Sequence, residues 1–423
     1  MPILSDAELV LGLSRHLAAY AGGLDKAALS EIEFAGWTYD LAFRLRGSTT
    51  SPAERIRAIG SDVGLGARPL RDVVVTLEQL GWVTVDRDPS GVPLFVTETM
   101  PPATELVTAS GKVFDLLRFG GLEVAALSIL RATTLQPLVA ESAVEVAVAA
   151  GSDQEQAEAA VRHLVAVKLV RRVTTDDGRD VLYNPNVWTQ GDEIASAALR
   201  AADANATREI GALIEEVSQR PALPEAHVKS TDERWIKFAV AQGLVQRSVI
   251  QTDNGDEQAF LFTPHVARDP FGGTARDASG QVRQLVGSMI YATTFARNQL
   301  WSPQLFLRRL IRDGIAGHAS SIGTDYTMLE KAGIVRALPG SPGRFRMQLL
   351  QADIADDALK LLSIRDTENS GGGTPRGLSG QSGYVHVETG RARLAMSAES
   401  DEVEQRRLIS ALRDVSIRRT MGI

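Results

Sequence analysis

One pattern occurs four times along the 423 residues, at intervals that suit whole domains better than short repeats. Each copy is an amphipathic helical stretch that ends at a Gly or Lys, then two apolar residues, a polar turn and a second strand. The residues that end the helical stretch in the four copies are Gly81, Lys168, Gly243 and Gly333. Successive copies lie 87, 75 and 90 residues apart, which exceeds the period of helix-pair solenoids. The chain is therefore expected to contain several small domains of one architecture.

The residue at the end of each helical stretch predicts how the helix stops. Helices commonly end in a left-handed residue, and glycine adopts that conformation without a steric penalty. Gly81, Gly243 and Gly333 fit this rule, whereas Lys168 must end its helix differently or at a small cost in strain. Beyond this point apolar residues tend to alternate, and the two strands flank turns of Asp, Asn, Pro or Gly, which predicts a β-hairpin in each copy.

The fourth copy shows the order of elements most clearly. Ser302 and Pro303 form a good start for a helix over 302–313. The sequence then predicts a turn at 314–318 and a last helix over 319–332, followed by the hairpin. Helix, turn, helix and hairpin in this order resemble the winged-helix variant of the helix-turn-helix family.

This resemblance covers most of residues 50–350 and implies a mainly α fold with small β-hairpins, built from tandem winged-helix domains. A Gly-rich stretch then predicts a flexible linker, which separates the array from a small C-terminal part. The expected boundaries are 1–100, 101–188, 189–269 and 270–363 for the four winged-helix units, 364–383 for the linker, and 384–423 for a C-terminal hairpin and amphipathic helix.

The C-terminal helix is predicted over 399–419, after a hairpin formed by 384–387 and 391–396. Its acidic start and basic end complement the helix dipole. The acidic side chains near its start are Glu399, Asp401, Glu402 and Glu404. Its apolar stripe is Leu408, Ile409, Leu412 and Val415. Such a stripe needs a partner surface, so we expect protein contact or self-association through 399–419.

Local charge bears on function more than the net charge of −7 does. The first three units carry −4, −3 and −5, which is unfavourable for a polyanionic partner. Residues 270–351 instead carry 10 basic and 4 acidic side chains, a local charge of +6. Because nucleic acid requires local positive charge, the fourth unit is the best candidate for contact with double-stranded DNA.

The winged-helix resemblance assigns roles to residues of the fourth and first units. The last helix of a winged helix usually enters the major groove, while preceding residues and the hairpin hold phosphates. The fourth-unit candidates are Arg308, Arg309, Arg312, Ser320, Ser321, Thr324, Tyr326, Lys331, Arg344 and Arg346. The first unit adds a second basic group: Arg55, Arg57, Arg68 and Arg71. The final helix of the second unit begins with acidic residues, and the third unit mixes basic and acidic residues there, so both middle units are expected to act as spacers or protein-binding surfaces.

Motifs for catalysis, metals and cofactors do not emerge from the sequence. The chain has no cysteine, which excludes disulfides and thiolate zinc sites. Its glycines complete neither a phosphate-binding loop nor a dinucleotide motif, and its six histidines include no pair at metal-ligand spacing. A signal peptide or a long apolar run is also not found, so we expect a cytoplasmic protein outside the membrane.

Two functions fit this sequence. The leading hypothesis is a non-enzymatic DNA-binding protein, either a transcriptional regulator or a chromosome- or plasmid-associated factor. The alternative is a winged-helix scaffold subunit that binds other proteins within a larger complex. A continuous basic surface would favour DNA, whereas an exposed apolar face would favour a scaffold.

Overall fold

A computed structural model describes residues 5–174, 178–185, 204–264, 280–365 and 377–397. These residues form a mainly helical protein with small antiparallel sheets of three or four strands. The predicted C-terminal helix over 399–419 lies outside the described residues. The mainly α character with small β elements, expected from the sequence, is confirmed.

The first helix-and-hairpin unit follows an N-terminal helix that is well capped. Ser5 accepts a hydrogen bond from the backbone of Glu8, and the Glu8 carboxylate accepts one from the backbone of Ser5. In chain order the elements are α1 (Asp6–Leu17), α2 (Leu24–Ala28), α3 (Ser30–Leu45), β1 (Thr50–Pro52), α4 (Ala53–Asp62), α5 (Ala67–Gln79), β2 (Val83–Arg87) and β3 (Pro93–Glu98).

The second unit ends its final helix with the one predicted exception. Lys168 has φ of 54°, so it adopts the left-handed conformation in spite of its Cβ. The expected strain at this position is thus present. The elements are α6 (Ala103–Thr108), α7 (Ser110–Leu117), α8 (Gly121–Leu135), β4 (Leu138–Val139), α9 (Ala140–Ala149), α10 (Gln154–Ala166), β5 (Arg171–Thr174) and β6 (Asp180–Tyr183).

The third unit has the same order with a shorter second helix. Asp232 caps its final helix by accepting a hydrogen bond from the backbone of Trp235. Gly243 ends that helix with φ of 81°. The elements are α11 (Ala204–Gln219), β7 (Leu223–Pro224), a 3₁₀ turn (Glu225–His227), α12 (Glu233–Gln242), β8 (Gln246–Thr252) and β9 (Glu257–Phe262).

The fourth unit differs from the predicted helix-turn-helix in two places. The predicted turn at 314–318 is mostly a strand, which pairs with the hairpin, and the predicted last helix over 319–332 is two short helices. Gly323 leaves room there for the Phe345 ring, against which a Cβ at 323 would clash. The elements are α13 (Gln281–Thr294), α14 (Pro303–Asp313), β10 (Ile315–Ala319), α15 (Ser321–Thr324), α16 (Thr327–Lys331), β11 (Val335–Pro339), β12 (Phe345–Leu349) and α17 (Ala352–Ile364).

All four sheets share one topology. The strand before the second helix pairs with the last strand of the hairpin, so the last strand is central among the unit's own strands. In the first unit, for example, Ser51 lies opposite Val96, and Val96 lies opposite Val85. Each unit therefore packs two or more helices on one small sheet.

The predicted linker and C-terminal hairpin are partly wrong. Residues 381–385 form strand β13 (Gln381–Val385), which pairs with β8 and extends the third unit's sheet. Residues 387–397 form helix α18 (Val387–Ser397), not a hairpin strand. The Thr389 hydroxyl donates to the Arg15 carbonyl at 2.6 Å, so this helix packs on α1. Composition alone did not reveal that residues 381–385, after the Gly-rich stretch, form a partly buried strand.

The first and fourth units pack against each other through backbone groups. The buried amide of Gln351 donates to the carbonyls of Phe43 at 3.0 Å and Gly333 at 2.9 Å. Arg336 donates to the Ser48 carbonyl at 3.1 Å. Gly333 allows the closest approach, because a Cβ there would overlap the carbonyl of Arg44. The helix-ending glycine of the fourth unit therefore also serves the junction between units.

We expect Gly333→Ala to destabilise the protein more than Gly81→Ala. Both glycines end a helix, with φ of 70° and 72°, so the left-handed backbone costs each alanine about 1 kcal/mol. Nothing lies within 4 Å of a Cβ at Gly81, whereas one at Gly333 meets the first unit. Urea unfolding should show a further decrease in stability of ~1–3 kcal/mol for Gly333→Ala. Equal decreases for the two variants would contradict the packing of the two units.

Candidate nucleic-acid interface

Helix α14 presents three arginines to solvent because its buried leucines face the opposite way. Ser302 caps the helix by accepting from the Leu305 backbone at 3.3 Å, and Leu307 and Leu310 are fully buried. The exposed arginines of this helix are Arg308, Arg309 and Arg312. The sequence placed them on the helix before the final one, and the structure agrees.

A single carboxylate contacts these arginines among the described residues. Asp313 accepts from Arg312 at 2.7 and 2.9 Å and lies 3.7 Å from Arg309. The hydrogen bond from Arg312 lowers the pKa of Asp313, so the carboxylate stays charged. The side chains of Arg309 and Arg312 remain 68% and 74% exposed, so water screens both pairs strongly. The helix therefore keeps a net positive outer face.

Arg344 and Arg346 belong to the second strand of the hairpin or its approach. Phe345 and Met347 point towards the helices of the unit, and Met347 is buried. Because side chains alternate along a strand, Arg344 and Arg346 share the opposite, outer face, where both are exposed. The two arginine groups thus lie on separate elements and face away from one shared core.

The residues predicted to read base edges are less available. Ser320 and Thr324 are exposed and Ser321 is half-buried, but Tyr326 is buried at 7% exposure. Burial raises the pKa of the Tyr326 hydroxyl above its ordinary value. The structure therefore keeps only part of this polar run on the surface.

Helix α16 belongs to the stretch that was expected to enter the major groove of DNA. Other parts of the protein cover it. Lys331 donates to the Ser382 carbonyl at 2.8 Å and lies 3.4 Å from Asp62 of the first unit. Thr327 donates to the Gln381 carbonyl at 3.0 Å. Strand β13 and helix α4 thus hold the final helix of the fourth unit inside the protein.

In the first unit, helix α5 has an exposed face, but basic and acidic side chains are mixed on the surface around it. Arg68 and Arg71 are exposed on α5, and Arg57 is exposed on α4. Exposed acidic residues accompany them: Glu54, Asp72 and Asp86. Its hairpin adds the ion pair of Arg87 with Glu78, which lowers the pKa of Glu78 by a side-chain hydrogen bond. The outer surface of this unit therefore offers access without a net positive charge.

Arg55 differs from the other first-unit candidates because it is partly buried. One terminal nitrogen of its guanidinium has no hydrogen-bond partner within the described part of the chain. Burial lowers the pKa of Arg55, and the nearby guanidinium of Arg336 lowers it further. Sequence analysis missed Arg336, since a single arginine on a strand carries no signal about a neighbour 281 residues away in the chain.

Two apolar residues beside the fourth-unit arginines were also missed. Trp301 is 97% exposed and Leu305 is 63% exposed. Leu305 lies four and seven residues before Arg309 and Arg312, so a helical projection of 302–313 would have placed it among the arginines. Leu305 thus adds an apolar side chain to the outer face of α14, and Trp301 lies just before the cap of the helix.

A series of ion pairs connects helix α16 of the fourth unit with helices α1, α3 and α4 of the first. Asp40 lies 2.6 Å from Arg15 and 2.8 Å from Arg44, and Arg44 also lies 2.8 Å from Asp62. Asp62 in turn contacts Lys331 at 3.4 Å. Burial alone would raise the pKa of Asp40, but Arg44 and Arg15 outweigh burial and hold the pKa below its ordinary value. Asp40 is thus a buried anion shared by two cations.

No known protein-family model matches the chain, and no curated protein matches it. Across the part of the chain that the structure describes, no helix is long and apolar enough to cross a membrane. Within the same residues, no group of three or more His, Cys, Asp or Glu side chains could hold a metal ion.

The lowered pKa values of two buried histidines predict how the stability of the folded protein depends on pH. Nε2 of His16 lies 2.7 Å from the Val167 carbonyl, and burial lowers the pKa of His16 to about 3. Burial also lowers the pKa of His386. The unfolded chain binds protons below about pH 6.5 while the folded chain resists them, so stability is complete above that pH and falls towards pH 3.

We expect His16→Gln to weaken this acid dependence. Glutamine can still donate to the Val167 carbonyl but cannot take up a proton. Between pH 6.5 and 4 the slope of unfolding free energy against pH should fall by about 1.4 kcal/mol per pH unit. Urea titrations at several pH values measure this slope. An unchanged slope would mean that His16 is protonated in the folded protein.

Proposed function

We propose that this protein is a tandem winged-helix array that binds double-stranded DNA chiefly through the arginines of its fourth unit. The helix–strand–helix–helix–hairpin order and the shared strand pairing support the winged-helix assignment. A role as a transcriptional regulator or a chromosome- or plasmid-associated factor, in the cytoplasm and without catalysis or cofactor, follows from this proposal.

One observation carries the proposal. Five arginines of the fourth unit are exposed, and among the described residues the ion pairs of this group are those of Arg309 and Arg312 with one carboxylate, Asp313. Those arginines are Arg308, Arg309, Arg312, Arg344 and Arg346. Exposed guanidinium groups that are not neutralised are what a phosphate backbone requires, because each phosphate contact releases counterions.

The mode of binding follows from the covered final helix. Lys331 and Thr327 hold α16 against Asp62 and strand β13, so this helix cannot enter a major groove without breaking those contacts. The exposed arginines can still reach phosphates, which carry no sequence information. We therefore infer backbone binding with weak sequence preference, in which Arg68 and Arg71 of the open helix α5 make additional contacts.

A protein-binding scaffold is the second candidate function. The hairpin of the first unit exposes Val92, Leu94 and Phe95, at 52%, 48% and 46%. Large apolar side chains grouped on one hairpin are typical of a protein contact surface. This surface lies on the first unit, so a scaffold function could coexist with DNA binding by the fourth.

The central test removes the fourth-unit cations. Changing Arg308, Arg309, Arg344 and Arg346 together to Ala should weaken binding to every duplex alike. The slope of log affinity against log salt should become shallower by about 0.9 for each phosphate that no longer pairs with an arginine. Fluorescence anisotropy with labelled duplexes at several salt concentrations measures both quantities.

A matched variant controls for the removal of four charges. Changing Lys112, Arg162, Arg172 and Arg208 to Ala removes the same charge from exposed sites on other units. This control should retain the affinity and the salt slope. If both variants weaken binding equally, only net charge matters and the fourth unit is not the site. Unchanged binding in the fourth-unit variant would favour the scaffold function.

We also expect little discrimination between duplexes. A good bidentate contact to a base contributes roughly 1–3 kcal/mol of discrimination, and the covered helix α16 makes none in this arrangement. Affinities for AT-rich and GC-rich duplexes should thus differ by less than about tenfold. Changing Ser321 and Thr324 to Ala should leave both affinities nearly unchanged. Strong discrimination that these substitutions abolish would contradict the proposed mode.

A further inference from the structure

The outer face of the fourth-unit hairpin leads from exposed arginines towards the first unit. On β12, Arg346 lies opposite Leu338 of β11. Two residues further on, Gln348 lies opposite Arg336. Paired residues share a face of the sheet, as do residues two apart on one strand. Arg336 therefore lies on the same outer face as Arg346, further from the turn of the hairpin.

A hydrogen bond fixes the guanidinium group of Arg336 where the two units meet. Its Nη2 atom donates to the carbonyl of Ser48 at 3.1 Å. Ser48 is buried, and it precedes β1, which runs directly into α4. The charge of Arg336 is therefore held beside the segment that begins α4.

Arg55 brings a second positive charge to the same place. It is the third residue of α4, where a cation is unfavourable because the start of a helix carries partial positive charge. Its Nη2 atom is buried and has no hydrogen-bond partner within the described part of the chain. Burial lowers the pKa of Arg55, and so does the neighbouring charge of Arg336. Two guanidinium groups from different units thus repel each other across the junction.

The carboxylates near these two arginines do not balance both charges. Glu330 of α16 attracts Arg55, but a hydrogen bond from the Ala337 backbone at 2.6 Å already occupies one of its oxygens. Glu54 immediately precedes Arg55 on α4, is exposed, and points about 100° away from it. Neither arginine forms an ion pair with a carboxylate in the described ranges. Both side chains are only half-buried, so an anion from solvent can reach them.

A phosphate group suits this pair of arginines. Guanidinium groups donate parallel hydrogen bonds to phosphate oxygens, and such charge-assisted bonds are stronger than those between neutral groups. One phosphate offers oxygens to both guanidinium groups at once. It therefore replaces the repulsion between them by attraction of each to the same anion.

We propose that Arg55 and Arg336 together hold one phosphate group at the junction of the first and fourth units, which we call the junction site. With DNA bound, this phosphate belongs to the duplex backbone, which follows the outer face of β11 and β12 from Arg344 and Arg346 to the junction. The path of the DNA rests on the proposed function, whereas the junction site itself does not require DNA. Inorganic phosphate and duplexes therefore test the two statements separately.

Inorganic phosphate tests the junction site without DNA. A ligand that binds only the folded protein raises its stability, and an occupied junction site links two units that must separate on unfolding. Urea unfolding of the full-length chain is compared in sodium phosphate and in sodium chloride at the same pH and ionic strength. The variant is Arg55→Gln. The matched control is Arg162→Gln, which removes an exposed arginine from α10 of the second unit.

We expect phosphate to raise the urea midpoint of the wild-type protein and of the control more than that of Arg55→Gln. General effects of phosphate on stability act on all three proteins alike, so they cancel in this comparison. In chloride, Arg55→Gln should be no less stable than the control, because it removes the repulsion from Arg336. Equal phosphate effects in the three proteins would overturn the junction site, and so would a loss of stability that is the same in both salts.

Duplex binding tests whether the phosphate belongs to DNA. Arg55→Gln alone should weaken duplex affinity by about three- to tenfold, since the phosphate loses one charge-assisted partner. Changing Arg55 and Arg336 together to Gln should make the slope of log affinity against log salt shallower by about 0.9, the value for one phosphate. A decrease of about 1.8 would mean two separate phosphates and would contradict shared binding.

The phosphate and duplex measurements distinguish failure of the junction site from failure of the proposed function. If Arg55→Gln loses the phosphate effect but keeps its affinity for duplexes, the junction site stands, it takes free phosphate, and the path of the DNA is wrong. If the protein binds duplexes while phosphate effect and salt slope stay unchanged in the variants, the junction site is overturned and the proposed function stands. If the wild-type protein does not bind duplexes, the proposed function fails, and the urea midpoints alone decide the junction site.

Discussion

A chain of ion pairs, buried at Arg15, Asp40 and Arg44 and partly exposed at Lys331, connects the first and fourth units. Asp40 and Asp62 alternate with Arg15, Arg44 and Lys331, so four contacts of 2.6–3.4 Å connect α1, α3, α4 and α16. Burying one of these charges without a partner would be very costly, and removing one partner would leave another charge unpaired. These charges are therefore satisfied together only when the four helices are assembled.

This assembly also determines which helices stay accessible. Because Lys331 ends the final helix of the fourth unit, its pairing with Asp62 holds that helix against the first unit. Gly333 follows two residues later and lets the backbones meet at Arg44. The element that a winged helix would use to read bases is thus used to join units. The arginines of α14 and β12 keep their exposure because neither belongs to this junction.

Local features of the sequence predicted local structure well. Three helix-ending glycines have positive φ, and Lys168 adopts the same backbone at the expected cost. Ser302 and Pro303 begin α14 as their types predict. The failures concern long-range pairing: residues 315–319 form a strand only because β12 lies beside them. Pairing between distant segments leaves no mark on the helical or strand period of either segment.

The candidate site residues show the same difference between local features, which the sequence predicts, and long-range contacts, which it does not. The charge excess of residues 270–351 could be counted, and exposure of Arg309 or Arg346 follows from helix or strand period once the elements are known. Coverage of Lys331 could not be predicted, since it depends on β13, which composition assigned to a linker. Gln381 and Ser382 accept hydrogen bonds from Thr327 and Lys331 through backbone carbonyls, which any residue type provides. The side chains of the covering strand therefore carry no sign of the contacts that its backbone makes. Only the fold shows which of the predicted contact residues remain exposed to solvent.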